Sequence, residues 1–560
     1  MTAFLKNNRY YLLLIAIITA LFIPLIVIGL DLGFVGVSLG FEEHFAHFGL
    51  KAGMRYTLLW DQRHLISGQF YALLYTLFPG QSAAWYGSSL LTQFVLALFI
   101  FLLADSLLKG QWRVLSFAAA LIAIFHTRQT ISHFSIPTSG HDKLGIMFTL
   151  TGLYCYLRYV RNERRNFLWR DFSIAFYVVG MLLHEVSVLF FLLNPLIAYI
   201  EEREKPGFRL DWRWLMQLIK DSFWYPILFL IYFYLLTMLL PPSASGHTIS
   251  LSPTRYIQQL GLGIFGEFSP HQFLRQIIPA FQGTWLILTL VLTAGIGSLI
   301  YGLWNTYTVR RIAWDRRIML VVIGIAMIIL NIASIAPVEF SLADSANAPR
   351  DTIPSAIGLG LAIAAILSLL LEYVPVRRVI FAGVVSILVA IGITRLFQVQ
   401  QIYIEQHNAI EDVTTSLRQV IPAVDKDHPP YFMIIADAEH NDAIHSHDLN
   451  FPFLFDLMYN VNGSAADGVY ANAPADQAPP PDQIGAHYQG RDIIVEPNAI
   501  YSPHDHGVPI DRSRLIMIEY DSATKKAQVV DERSAESFAG TNVIVRGDAP
   551  LISNLSLIKP

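Results

Sequence analysis

Long apolar runs divide the first 397 residues into segments of bilayer length. A helix needs about 20 apolar residues to cross the hydrocarbon core, and runs near that length occupy 10–30, 84–108, 143–160, 221–241, 284–304, 318–337, 352–374 and 378–397. This pattern predicts an α-helical polytopic membrane protein. The first run follows Lys6 and Arg9 and has no small-residue cleavage site before Asp31, so we expect an uncleaved transmembrane helix.

The charge pattern is needed to interpret two further regions. Residues 114–126 form a short apolar run, and residues 172–200 are apolar throughout except for His184 and Glu185 near the middle. Lys and Arg favour cytoplasmic loops, and the basic clusters at 158–170, 203–220 and 310–317 share one side only if 172–200 crosses twice. We therefore predict about eleven transmembrane helices, with the N-terminus cytoplasmic and the C-terminus extracytoplasmic.

The pattern changes after residue 397. Residues 399–422 have helical spacing, short strands are expected at 431–436, 492–495 and 515–520, and 525–530 is expected to pair with the last of them across a turn. Residues 462–490, rich in Gly, Ala, Pro and Asp, are predicted to form a long loop. The predicted organisation is a transmembrane domain at 1–397 and a small extracytoplasmic α/β domain at 398–560.

Composition and charge agree with this division. The chain is 54% hydrophobic and 15% charged, which excludes a disordered protein, a basic nucleic-acid binder and an ordinary soluble enzyme. The net charge of −4 combines +9 in residues 1–397 with −13 in residues 398–560. Cys155 is the one cysteine, so the outer domain has no intrachain disulfide.

The first outer loop carries the densest candidate chemistry. Glu42 and Glu43 lie on a segment with aromatic residues at helical spacing, and Glu43 and His47 face the same way at i and i+4. Such a pair could act as a general base or supply two ligands to a divalent ion. The spacing fits equally well an interfacial helix with a polar upper face.

Other candidates lie on the same predicted side of the membrane. Arg63 and Arg350 are suited to a phosphate, although Arg63 could instead anchor its loop on Asp61. Asp142 opens a predicted helix, where a carboxylate also stabilises the helix dipole. The His184–Glu185 pair interrupts an apolar run, which indicates a cavity or a site because a carboxylate is costly to bury there; a purely structural pairing is the alternative.

The order of these motifs resembles the GT-C superfamily of polytopic glycosyltransferases, and within it the protein O-mannosyltransferase-like members. The resemblance covers most of 1–397. It lies in “WDQRHLISGQFYALLYTLFPG”, “HTRQTISHFSIPTSGHDKLGIMFTLTGLYCYLR”, “MLLHEVSVLFFLLNPLIAYI” and “RDTIPSAIGLGLAIAAIL”. The chain departs from the family pattern in having Glu-Glu for the usual Asp-Asp and His184 for a lysine.

The resemblance implies an enzyme of the plasma (inner) membrane that takes a sugar from a polyprenyl-phosphate carrier to a hydroxyl of a protein, lipid or polysaccharide on the outer face. It places Glu42 or Glu43 at the acidic pair, with Asp31 as a competitor, and Arg350 and Arg63 toward the phosphate. Asp142, His184 and Glu185 would bind substrate, a divalent metal ion is a possible cofactor, and membrane lipids are the other expected partners. No nucleic acid is expected.

Two other functions remain open on the sequence. An inactive GT-C-like scaffold that binds a partner through its outer domain is consistent with the motif departures. A transporter would show inverted internal symmetry and polar residues through the bundle, and the sequence has no such symmetry. An enzyme, unlike a scaffold, requires the candidate groups to converge.

Overall fold

A computed structural model describes most of the membrane half and parts of the C-terminal half. The described residues are 2–29, 45–46, 49–51, 53–54, 66–126, 140–205, 207–235, 252–267, 274, 277–306, 314–336, 352–426, 430–436, 458–459, 483–489, 492–496, 508–521, 523–534, 543–545 and 551–559.

The membrane half is helical throughout its described residues. The α-helices are α1 Thr2–Gly29, α2 Ser67–Leu77, α3 Ser82–Leu107, α4 Arg113–Ile124, α5 Gly140–Arg161, α6 Phe167–Leu183, α7 Asn194–Glu202, α8 Trp212–Ser222, α9 Trp224–Tyr234, α10 Pro253–Glu267, α11 Gly283–Thr306, α12 Trp314–Ile335, α13 Ile353–Leu370 and α14 Arg377–Val420. A 3₁₀ helix at Glu185–Leu193 joins α6 to α7.

Within the described residues, five helices are long and apolar enough to cross a membrane. They are α3, α11, α12, α13 and α14, and shorter apolar stretches lie at Ile15–Val27, Arg113–Ile124 and Trp224–Tyr234. The chain is therefore an integral membrane protein. The count of eleven helices and the orientation of the termini stay predictions.

The chain reverses at His184, where the charge pattern predicts a break. Helix α6 ends at Leu183, and His184 is extended at φ −164° and ψ 131°. Arg161 pairs with Glu201 at 2.9 Å, and Arg164 pairs with Glu202 at 2.7 Å. Residues 167–202 therefore run out and back, and both of their ends meet the C-terminal end of α5.

Small residues let the helices of this half pack closely. A Cβ on Gly324 would lie 2.4 Å from the Gly358 carbonyl oxygen, and a Cβ on Gly360 would lie 2.5 Å from the Ala119 carbonyl oxygen. These contacts bring α12 and α4 against α13. Gln400 of α14 donates to the Leu25 carbonyl at 2.9 Å and the Tyr86 hydroxyl at 2.6 Å.

Two local predictions are wrong, and one helix was not predicted. The unpredicted helix is α8 in the basic segment 203–220, which forms because residues 212–222 are amphipathic and Asp211 caps them by accepting from Trp214 N at 2.9 Å. The expected helices at 378–397 and 399–422 are one continuous helix, α14. Residues 483–489, expected in a loop, form a strand that pairs on both sides.

The C-terminal half contains short strands in small sheets. The strands are β1 Ala423–Val424, β2 Tyr431–Ala436, β3 Gln483–Gln489, β4 Asp492–Glu496, β5 Val508–Asp511, β6 Leu515–Asp521, β7 Lys526–Val530, β8 Glu532–Arg533, β9 Val543–Val545, β10 Leu551–Ile552 and β11 Ile558–Lys559. The order β2-β6-β7 makes one sheet and β5-β3-β4-β9 another. The expected strands at 431–436, 492–495 and 515–520 and the hairpin with 525–530 are confirmed.

The chain divides into two compact units, and the division crosses the helix α14 at Gln400. One unit contains 1–31, 57–70 and 83–400, and the other contains 32–56, 71–82 and 401–560. In the second unit, Val413 and Leu417 of α14 pack with Ile516 and Ile518 of β6. Alternate residues of β6 face opposite sides, and Met517 packs with Met433 on the other face.

Candidate functional site

A close crossing of α5 and α6 positions the candidate site. Gly145 and Gly180 meet there, and a Cβ on Gly180 would lie 2.7 Å from the Gly145 carbonyl oxygen and 2.5 Å from Thr149 Oγ1. His184 follows Gly180 by one turn and donates its N–H to the Gly180 carbonyl at 3.0 Å. The crossing thus brings the end of α6 beside the first turn of α5, where Asp142 lies.

His141, Asp142 and His184 form one buried cluster. Asp142 Oδ1 lies 2.8 Å from His141 Nε2 and 3.1 Å from His184 Nε2. The three residues are at most 2% exposed. One carboxylate oxygen therefore lies within ion-pair distance of two imidazole nitrogens in a site shielded from water, where electrostatic interactions are stronger than at a surface.

The hydrogen bond on the far side of His184 assigns its tautomer. The Val186 N–H donates to His184 Nδ1 at 3.4 Å, so Nδ1 carries the lone pair and Nε2 carries the hydrogen. His184 Nε2 faces Asp142 Oδ1 at a distance of 3.1 Å. The Val186 contact and the Asp142 carboxylate therefore lie on opposite sides of the imidazole ring.

The same cluster could hold a metal ion. One ligand atom from each of the three residues lies within 4.8 Å of the others, and two imidazoles with a carboxylate are a common donor set for zinc. Binding through His184 Nε2 would need the proton to move to Nδ1 and the Val186 contact to be given up. The structure retains the Val186 contact.

Further charged groups surround the cluster. Lys143 is fully buried and donates to Ser89 Oγ at 2.8 Å. Glu185 is 5% exposed and follows His184 directly. Ionisable side chains are expensive to bury and are characteristic of functional sites in membrane proteins.

A second layer of hydrogen bonds fixes the reversal at His184. Asn331 of α12 donates to the Val186 carbonyl at 2.8 Å, and Ser355 of α13 donates to Asn331 Oδ1 at 2.6 Å. On the other side, Ser187 donates to Thr149 Oγ1 at 3.0 Å. The segment that carries His184 and Glu185 is therefore attached to α5, α12 and α13.

The structure brings together two of the residues that the sequence nominates, Asp142 and His184, and the nominated Glu185 follows His184 directly and is buried. The other nominated residues lie outside the described residues: Asp31, Glu42, Glu43, His47, Arg63 and Arg350. Sequence reasoning missed His141, and it assigned no role to Lys143. The signal for His141 is its place beside Asp142 in a segment that becomes apolar immediately afterwards.

Comparisons with known proteins give remote matches. No family model and no curated protein matches the chain. The chain is similar to ArnT from Cupriavidus metallidurans bound to undecaprenyl phosphate, at 13% identity and a TM-score of 0.39, over 81% of this chain and 85% of that one. The apo form of the same protein matches at 13% identity and 0.37, over 76% and 82%.

Both likenesses are remote, so the chemistry of the site is derived from this chain's own residues.

Proposed function

We propose that this chain is a membrane glycosyltransferase that moves a sugar from a polyprenyl-phosphate-linked donor to an acceptor hydroxyl on the extracytoplasmic face. The observation that carries the proposal is the convergence of two distant motifs: Asp142 Oδ1 lies 3.1 Å from His184 Nε2, and Glu185, the next residue along the chain, is also buried. A scaffold has no need to gather ionisable groups that are costly to bury. A site that binds sugar hydroxyls uses carboxylates and imidazoles of this kind.

Sugar transfer makes two demands on the site. The acceptor hydroxyl attacks the anomeric carbon while its proton passes to a carboxylate, and the bond from that carbon to the phosphate oxygen breaks. The departing polyprenyl phosphate gains negative charge, which positive groups must stabilise. Glu43 is the proposed base or metal ligand, with Glu42 supporting it and Asp31 as the alternative, and Arg350 and Arg63 are the proposed phosphate ligands.

The described cluster has the proposed role of binding and orienting the sugar. Asp142 and Glu185 supply acceptors for sugar hydroxyls, and the Val186 N–H holds His184 in one tautomer. A divalent ion, if bound by Glu43 and His47 or by the histidine–aspartate cluster, would supply positive charge against the leaving phosphate. The acceptor would be a protein, a lipid or a polysaccharide.

A transfer assay tests this proposal. Purified protein in vesicles receives polyprenyl-phosphate donors with a labelled sugar, and label in the acceptor fraction is measured for the wild type and for Glu43→Gln. We expect transfer by the wild type and a loss of at least about 100-fold in the variant, since a general base contributes ~10²–10⁴-fold.

Glu163→Gln is the matched control, because Glu163 is 60% exposed and pairs only with the exposed Arg165 among the described residues. Its transfer should equal that of the wild type. Undiminished transfer by Glu43→Gln would reject Glu43 as the base. A wild type that transfers no sugar from any donor would favour the scaffold instead.

A further inference from the structure

The amphipathic helix α8 presents three different faces. One face carries Trp214, Leu218 and Asp221. Trp214 and Asp221 contact neighbouring helix ends, and Leu218 and Asp221 are buried. A helix turns by 100° per residue, so Trp212, Met216, Ile219 and Phe223 lie on the opposite side. Arg213 and Lys220, seven residues apart, share a third side between these two.

Hydrogen bonds place α8 at the level where neighbouring helices end. Asp221 accepts from the Tyr159 hydroxyl at 3.0 Å and pairs with Arg164 Nε at 2.6 Å. Trp214 Nε1 donates to Glu202 at 2.7 Å. Arg164 follows the end of α5 and Glu202 is the last residue of α7, so these contacts hold α8 at the end of the helical bundle.

The face opposite to these contacts is apolar and exposed. Trp212, Met216, Ile219 and Phe223 are exposed by 68%, 47%, 47% and 52%, respectively. Tryptophan is enriched where a membrane meets water, and Trp224, just beyond α8, is also 50% exposed. The aromatic residues and the position at the bundle end both indicate the lipid interface.

The basic face of α8 favours lipids with negatively charged headgroups. Arg213 and Lys220 are exposed, and no acidic residue in the described part of the chain forms an ion pair with either. The acidic residue of α8, Asp221, is already engaged by Arg164. Two basic side chains beside an apolar face that enters lipid are placed to meet anionic headgroups.

We propose that α8 is a binding site for anionic phospholipid, with Trp212, Met216, Ile219 and Phe223 among the acyl chains and Arg213 and Lys220 on the phosphate of the headgroup. The bundle-facing side anchors the helix, and lipid occupies the other two sides. The inference is independent of the proposed sugar transfer.

A fluorescent reporter on α8 tests this proposal in the full chain. Cys155 is 3% exposed, so a Met216→Cys variant is labelled selectively with an environment-sensitive dye. The detergent-solubilised protein is titrated with phosphatidylglycerol or with phosphatidylcholine of the same chain length. We expect a blue shift with both lipids and a midpoint about 25-fold lower for phosphatidylglycerol, about fivefold for each of the two basic residues.

Substitutions separate the basic face from general charge. In the reporter variant, Arg213→Gln with Lys220→Gln should raise the phosphatidylglycerol midpoint by about fivefold for each residue and leave phosphatidylcholine unchanged. Arg165→Gln with Lys526→Gln removes two exposed charges elsewhere and should change neither midpoint. Inorganic phosphate alone should give no shift.

Equal midpoints for the two lipids, an equal effect of the control pair or a shift with inorganic phosphate would overturn the assignment to anionic lipid. A lipid-free blue shift that grows with protein concentration would also overturn it, because it would identify the face as a contact between copies of the chain.

Discussion

The glycine crossing shows how single residues determine the geometry of the candidate site. We predict that Gly180→Ala lowers the free energy of unfolding by about 1–3 kcal/mol, because its Cβ would lie 2.7 Å from a backbone oxygen of Gly145. Relief of that contact requires α5 and α6 to separate, which moves His184 away from Asp142. The thermal unfolding midpoint of the purified protein measures this loss of stability.

Gly87→Ala provides the matched control, because a Cβ there has no atom within 4 Å and alanine favours a helix over glycine by ~1 kcal/mol. Its midpoint should stay the same or rise. An unchanged midpoint for Gly180→Ala would show that the crossing is looser than the structure indicates.

At the residue scale, the sequence predicts the buried ionisable residues of the site better than the residues that position them. His184 and Glu185 stand out because they interrupt an apolar run, and Asp142 stands out because it opens a predicted helix. Gly145 and Gly180 do not stand out, since glycine is common in membrane helices and its role depends on which helix lies opposite. His141 is likewise informative only once the crossing brings His184 within reach of Asp142.

At the element scale, ion pairs hold the ends of the helices together. Partial burial alone would raise the pKa of the Glu204 carboxyl, but hydrogen bonds and charge from Arg316 and Lys109, each 2.6 Å away, lower it from 4.5 to about 2. The folded state thus has the lower pKa. The stabilisation is fully present above pH 4.5 and is lost as pH falls toward 2.

Glu204→Gln should therefore lower the unfolding midpoint at pH 7 and converge with the wild type as pH falls from about 4.5. Because the Glu204 side chain is 34% exposed, solvent screening limits the effect to roughly 1 kcal/mol. Unfolding midpoints measured between pH 7 and pH 3 test the convergence, with Glu163→Gln as the exposed control. A constant difference across that range would contradict the assignment.

The sequence predicts element boundaries where charge or periodicity sets them. The reversal at His184 follows from the need to keep three basic clusters on one side, and the hairpin of β6 and β7 follows from its alternation and turn. The continuity of α14 is not predicted, because Gln398, Gln400 and Gln401 end the apolar run while remaining good helix formers. Strand β3 is missed because its Gly and Ala residues lack strand preference.

At the scale of the whole molecule, a bundle of apolar helices contains a buried cluster of His141, Asp142 and His184, where we propose lipid-linked sugar transfer. The charge split between the two halves predicts a working face outside the membrane. The site itself depends on contacts between helices that are distant in sequence. The sequence pattern therefore indicates candidate residues but does not show which of them lie together.

The most direct test of this account is consumption of a labelled polyprenyl-phosphate sugar by the wild type, Asp142→Asn and Asp171→Asn. Asp142 is fully buried, whereas Asp171 is 57% exposed and pairs with its neighbour Arg170; unfolding midpoints verify that each variant is folded. We predict that the wild type and Asp171→Asn consume the donor at equal rates and that folded Asp142→Asn is at least about tenfold slower. Equal consumption by Asp142→Asn, or none by the wild type, would contradict the account.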